Sequence, residues 1–263
     1  MVESTLNYLA PMTVRPYYYL CDPPAGKSWR NTTGDPRTVA IHDARELAKP
    51  SLDGEGFVLA RLATSVDDLY DADAVRSRYY REVESVVKRV TGARRVSAFD
   101  HNVRSVPRAE RRESGAQKPV RLAHNDYTER SGPQRVRDLC GAAADDLLSR
   151  RFSVINVWKP IRGPVESAPL AICEAPSLRA EDLIPTDLVY SDRKGEIYTL
   201  AYRPGHRWFY FPRMAADEAM IFKCYDSDRS VARFTAHSAF DDPTSPPGAA
   251  ERESIEVRTL AFY

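Results

Sequence analysis

The alternation of apolar and polar positions changes character near residue 150. Between residues 73 and 90 the apolar side chains Val75, Tyr79, Val83, Val87 and Val90 recur at the spacing of one helical face. Gly92 follows where a C-terminal cap belongs. A second helix is predicted from Ser131-Gly132-Pro133, because proline in a first helical turn forfeits no hydrogen bond. Its apolar face would be Val136, Leu139, Cys140, Ala143 and Leu147, ending at about Arg151. Residues 1–60, broken by Pro11, Pro16, Pro23, Pro24, Pro36 and Pro50, read as irregular, with strand-like pieces at 14–20 and 56–62. Residues 95–100 read as a strand, and the charged stretch 104–119 as an exposed, mobile loop.

From Phe152 onward the texture is β. Residues 152–158, 170–174, 187–190, 196–202, 208–212, 219–225, 233–240 and 254–262 are short, β-rich and bounded by turn signals such as Pro204-Gly205. Eight strands behind a mostly helical half predict a mainly β, α+β fold, a sandwich or jelly roll with helices packed on one sheet. The Pro-rich stretch 241–250 reads as a loop between the last two strands. One domain over 1–263 is expected, with residues 1–100 packing on a core formed by 120–263.

Composition narrows the class. Lys+Arg 38 against Asp+Glu 37 gives a net charge of +1, so no polybasic field points to nucleic acid or to a membrane surface. The sequence holds no apolar run near the ~20 residues of a membrane span, and its first residues lack a secretory pattern. Cys21, Cys140, Cys173 and Cys224 form no C-x-x-C pair, which suits reduced thiols in a cytoplasmic protein.

Against that background the chemistry concentrates in few residues. His124 and Asp126 stand at H-x-D spacing, and in an extended strand residues two apart face the same way. Two imidazoles and one carboxylate make an open-sided iron(II) centre, with His237 as the second imidazole on a strand between Phe234 and Phe240. Arg252 and Ser254 share one face of the last strand, and a planar guanidinium beside a hydroxyl suits a buried carboxylate. Arg258 has the same parity and is an alternative to Arg252. Each residue alone has a bland explanation as a core histidine, a surface arginine or a strand-end serine; the order H-x-D, H, R-x-S gives the set its weight. His206, after Pro204-Gly205, is the rival third ligand; His101 is read as a pocket or core residue, and His42 as unrelated. Asn156 and Trp158 share a strand face that can look toward the metal. Tyr127, Tyr198 and Arg135 are candidate substrate or co-substrate contacts. The run Trp208-Phe209-Tyr210-Phe211 reads as sheet core, and 104–119 as a possible lid. No Gly-rich phosphate loop, G-x-S-x-G elbow or H-E-x-x-H occurs.

The stretches His124-Asn-Asp-Tyr-Thr, Ser131-Gly-Pro-Gln-Arg135, Asn156-Val-Trp-Lys-Pro160, Gly205-His-Arg-Trp-Phe-Tyr-Phe-Pro212, His237-Ser-Ala-Phe-Asp-Asp-Pro243 and Arg252-Glu-Ser-Ile-Glu-Val-Arg258 together resemble one enzyme family. It is the CmcJ/AsaB/NvfI-like family of non-haem iron(II)/2-oxoglutarate-dependent oxygenases. The resemblance runs from about Phe99 to the C-terminus and is weaker before it. It implies a double-stranded β-helix (jelly-roll, cupin-like) core, Fe(II), 2-oxoglutarate and O2 as cofactor and co-substrates, and a small-molecule substrate of secondary metabolism. Carried onto this chain, it places the metal on His124, Asp126 and His237, and the co-substrate carboxylate on Arg252 with Ser254. The fifteen positions from His237 to Arg252 exceed the common spacing, which leaves Arg258 open in that role. The implied reaction is hydroxylation, desaturation or cyclisation at a C–H bond. Two other readings stay open: an iron-dependent isomerase or lyase without 2-oxoglutarate turnover, and a non-catalytic small-ligand-binding jelly roll.

Overall fold

The computed structural model describes every residue except Ser114. In chain order the first strands are Val2–Leu9 (β1), Tyr17–Tyr19 (β2), Gly34–Asp43 (β3), Phe57–Arg61 (β4), Arg95–Ser105 (β5), Ala116–Gln117 (β6) and His124–Asn125 (β7). The remaining strands are Phe152–Pro160 (β8), Leu170–Cys173 (β9), Leu183–Val189 (β10), Lys194–Leu200 (β11), Trp208–Tyr210 (β12), Glu218–Asp226 (β13), His237–Ala239 (β14) and Glu253–Phe262 (β15). They form a nine-stranded sheet, β1-β3-β12-β9-β14-β7-β11-β10-β2, and a six-stranded sheet, β4-β13-β8-β15-β5-β6. The architecture is the mainly β jelly roll, with few helices.

Strand β8 shows how the core is built. All nine of its residues are buried, the polar Ser153, Asn156 and Lys159 among them, so both faces of the strand are covered and burial does not alternate along it. Val154 and Trp158 point into the cluster between the sheets, with Phe57, Ile172, Phe209 and Phe222. Ile155 and Val157 point out, joining Ile221, Ile255 and Val257 beneath the helix Tyr80–Thr91. That helix seats Val83, Val86 and Val87 on the sheet and ends at Gly92, whose left-handed φ of 69° closes the last turn. At roughly 1.5–3 kcal/mol per buried aliphatic side chain, this stripe holds the helix in place. The same two-residue period turns Asn156 of β8 and Ser254, Glu256 and Arg258 of β15 toward the interior.

Four expectations change. Residues 1–60 are not irregular: β1 and β3 pair antiparallel over eight residues at the sheet edge, where Pro36 faces β1 alone. Strand β5 runs to Ser105, five residues past the expected end, because β15 offers it a partner along its whole length. The stretch 104–119 therefore holds the end of β5, a helical turn Val106–Glu110 and strand β6; within it Ser114 lies outside the described residues. Gly141 ends the second helix at Cys140, and a separate turn Ala144–Leu148 follows. Leu139 is not on that helix's buried face but exposed.

Candidate metal centre

Strands β7 and β14 are hydrogen-bonded neighbours, and their shared rung sets His124 directly opposite His237. The two rings lie 4.4 Å apart between centroids. Asp126 follows β7, and its Oδ1 is 3.5 Å from His124 Nε2 and 4.0 Å from His237 Nε2. Among the described residues these three form the one cluster of three or more potential ligands, with all donor atoms within 4.8 Å of one another.

The surroundings aim each donor. His124 Nδ1 donates to the Leu122 carbonyl at 2.7 Å, and His237 Nδ1 faces the Thr235 carbonyl at 3.4 Å, so both Nε2 atoms are left as electron-pair donors. Asp126 Oδ2 accepts from Arg258 Nε at 2.8 Å and from Asn156 Nδ2 at 2.9 Å, which leaves Oδ1 for the imidazole side. Burial pushes the Asp126 carboxyl up, but Arg258 and the two histidines outweigh it and hold it well below the usual range. Burial, with His124 beside it, pushes His237 down to about 3, so its ring is neutral near pH 7. A neutral imidazole and an ionised carboxylate are the forms that bind a metal.

Sequence reasoning gave no role to Asn125, which faces away from the metal side and is fully buried. Its amide donates to the Tyr127 carbonyl at 2.6 Å and the Cys224 carbonyl at 2.9 Å, and its Oδ1 accepts from Thr235 N at 3.4 Å. The residue between the first two donors thus ties their turn to β13 and to the segment carrying His237. Glu256 was also unmarked. It lies between Ser254 and Arg258 on the inner face, 3.5 Å from the Arg258 guanidinium, and burial raises its pKa.

The two arginines left open are in different circumstances. Arg258 is engaged by protein carboxylates, Asp126 and, at 2.9 Å, Asp100. Arg252 is buried over the Trp158 ring, 5.4 Å from its centroid, and donates to the Ala168 carbonyl at 2.6 Å. Its Nε and the Ser254 hydroxyl are both buried without a partner among the described residues. Burial and the nearby Arg104 and Arg121 push the Arg252 pKa down to about 9. A buried cation with no carboxylate within ion-pair distance among the described residues is costly, so this pair of orphaned donors fits an incoming carboxylate. The donor set and the orphaned pair together fit iron(II) and 2-oxoglutarate.

The other histidines are elsewhere. His206 Nε2 pairs with Asp182 at 3.0 Å and its ring stacks on Tyr8; His101 bonds the Tyr80 hydroxyl; His42 packs on Phe209. Trp208 and Phe209 lie in the core. A cleft of about 1550 Å³ opens over His124 and Asp126, with Tyr127 and Arg135 in its wall. Tyr198 lines a separate groove.

A family profile described as an oxidoreductase/YMDC permease-like domain matches residues 6–262. The Fe(II)/2-oxoglutarate-dependent dioxygenase nvfI of Aspergillus novofumigatus is 33% identical, over 99% of this chain and 96% of its own. The chain belongs to the Fe(II)/2-oxoglutarate-dependent dioxygenases. The hydroxylase/desaturase efuI of Hormonema carpetanum is 30% identical over all of this chain and 95% of its own. A solved structure of the iron and alpha-ketoglutarate-dependent endoperoxidase NvfI superposes with a TM-score of 0.90 at 31% identity, covering 99% of this chain and 97% of that one. Membership makes the protein a dioxygenase that uses Fe(II), 2-oxoglutarate and O2 on a small molecule. No helix among the described residues is long and apolar enough to cross a membrane.

Proposed function

We propose that this dioxygenase oxidises a C–H bond of a small molecule in secondary metabolism, with His124, Asp126 and His237 as its iron ligands. The convergence of three donor atoms within 4.8 Å of one another, beneath a cleft that opens over His124 and Asp126, carries the reading. Arg252 and Ser254 hold the far carboxylate of 2-oxoglutarate, supported by their orphaned, buried donors. Arg258 and Asn156 orient Asp126 instead, and Trp158 forms the surface beneath Arg252. Bound iron supplies oxidative decarboxylation of 2-oxoglutarate to succinate and CO2, coupled to hydroxylation, desaturation or cyclisation. The protein holds Asp126 through Oδ2, would offer Oδ1 and the Nε2 atoms of His124 and His237 to the metal, and walls the cleft with Tyr127.

The whole chain acts as one oxygenase domain, in the cytoplasm, without a nucleic-acid or membrane partner. The net charge of +1 and four free cysteines support that placement. The isomerase or lyase and the non-catalytic readings have no observation in their favour. Anaerobic addition of iron(II) and 2-oxoglutarate should give a weak visible charge-transfer band that Asp126→Ala or His237→Ala abolishes. A wild-type protein without the band, or a band unchanged in both variants, would remove this assignment.

A further inference from the structure

The cleft is not an evenly polar opening. The helix Ser131–Cys140 turns Ser131, Gln134, Arg135, Asp138 and Leu139 toward it, positions i, i+3, i+4, i+7 and i+8 of one helical face. Gly132 and Val136 take the opposite, buried face. Arg135 and Leu139 are one turn apart and therefore adjacent. Leu139 is 46% exposed, one of six large apolar side chains in solvent among the described residues; Leu20 and Val120, two others, line the same cleft. Such a grouping of exposed apolar side chains marks a binding surface.

The charges are as uneven. Glu196 is held by Arg15 and Arg130, and Asp100 and Asp126 by Arg258; Asp138, the remaining carboxylate of the lining, accepts from Gln134 Nε2 at 2.8 Å. Arg135 has no carboxylate within ion-pair distance among the described residues; its guanidinium lies over the Phe99 ring at 5.6 Å and its buried Nε has no partner. The overall charge of +1 supplies no general reason for this local excess. It interacts with Tyr127, the residue after Asp126, and lines the same cleft as His124 and Asp126.

We propose that the substrate is an amphipathic organic anion, its carboxylate or comparably acidic oxygen held by Arg135 and its apolar body laid along Leu139 and Val120. This rests on the dioxygenase reading above. A planar guanidinium on an aromatic face is pre-organised for one anionic group, and the neighbouring leucine discriminates for an apolar body. Arg135 acts as a specificity-determining contact, separate from Arg252, whose orphaned donors serve the co-substrate.

The test uses the iron(II)–2-oxoglutarate holoenzyme without oxygen, with 1-naphthaleneacetate and its neutral amide as paired probes, read by calorimetry and by displacement of the charge-transfer band. The carboxylate should bind at least about tenfold more tightly than the amide. Arg135→Gln should erase the preference with the unliganded band unchanged, Arg135→Lys should retain part of it, and Leu139→Asp, at an exposed position, should reverse it. Equal binding of the two probes, binding of neither, or a preference that survives Arg135→Gln overturns the proposal while leaving the dioxygenase reading intact. Absence of the band in wild type fails that reading, and this proposal with it.

Discussion

Arg258 Nε stands 2.8 Å from Asp126 Oδ2, and that contact separates two arginines that sequence spacing leaves interchangeable. Arg258 lies on the inward face of β15, and Arg252, buried, immediately precedes that strand. Arg258 meets the carboxylate of the metal side, whereas Arg252 donates to the Ala168 carbonyl and lies over the Trp158 ring, with no carboxylate in ion-pair distance among the described residues. The two positions should therefore fail differently when changed.

Arg258→Gln should weaken iron(II) binding by roughly 10–100-fold, the usual consequence of removing a partner that orients a ligating carboxylate. Asp126 would then be free to rotate and present either oxygen. Arg258→Lys should recover part of the affinity, since a charge returns without the fork. Anaerobic iron titration gives the answer, and unchanged affinity in Arg258→Gln would show that Asp126 is held by Asn156 alone.

Arg252→Leu should leave iron affinity near wild type and raise the dissociation constant for 2-oxoglutarate by about 30-fold or more, as expected when one half of a buried charge pair is lost. Ser254→Ala should cost less, about two- to tenfold, the worth of one neutral hydrogen bond. Titration of the iron-loaded protein with 2-oxoglutarate measures both. A larger loss in Arg258→Gln than in Arg252→Leu would exchange their roles.

Much of this site is legible in the sequence, and the limits have physical causes. Period-two geometry is local, so the common facing of His124 and Asp126, and of Arg252 and Ser254, follows from spacing. The choice of His237 over His206 depends on strand pairing: β14 lies beside β7, whereas His206 is taken by Asp182. That is long-range information. The same holds for Arg258, whose partner is 132 positions away, and for β1 and β3, whose ladder outweighs the prolines around them. Leu139 was misplaced because an apolar residue at helical spacing resembles core even when it faces a cleft.

Acid should destabilise the metal-free protein in a window set by His237. The folded ring titrates at about 3 because burial and His124 disfavour its charge, against an ordinary 6.5. Between those values the unfolded chain binds the extra proton and the folded one does not, so stability falls as pH drops from about 6.5 toward 3. His237→Leu removes that titration, and its melting temperature should fall less over the same range. Melting curves from pH 7 to 4 decide it, and parallel pH profiles for the two proteins would contradict the assignment. Asp126, whose carboxyl is held below its ordinary 3.8, loses its contribution only at lower pH.

Asn125 offers the sharpest test of how the donors are brought together. Its amide donates to two carbonyls and its oxygen accepts from Thr235 N, so the side chain's two ends are not interchangeable. Asn125→Ala leaves those buried groups unpaired, which should cost about 1–3 kcal/mol and lower the melting temperature by roughly 2–4 °C per kcal/mol. Asn125→Asp keeps the shape but sets an anionic oxygen against the Tyr127 and Cys224 carbonyls, so it should be worse than alanine. Both should weaken iron binding: alanine because the turn joining His124 to Asp126 loses all three ties, and aspartate because repulsion from the Tyr127 and Cys224 carbonyls displaces that turn. The expected order of stability is wild type, then alanine, then aspartate. An aspartate variant more stable than the alanine one would mean that the contact to Thr235, rather than the paired donors, holds the turn.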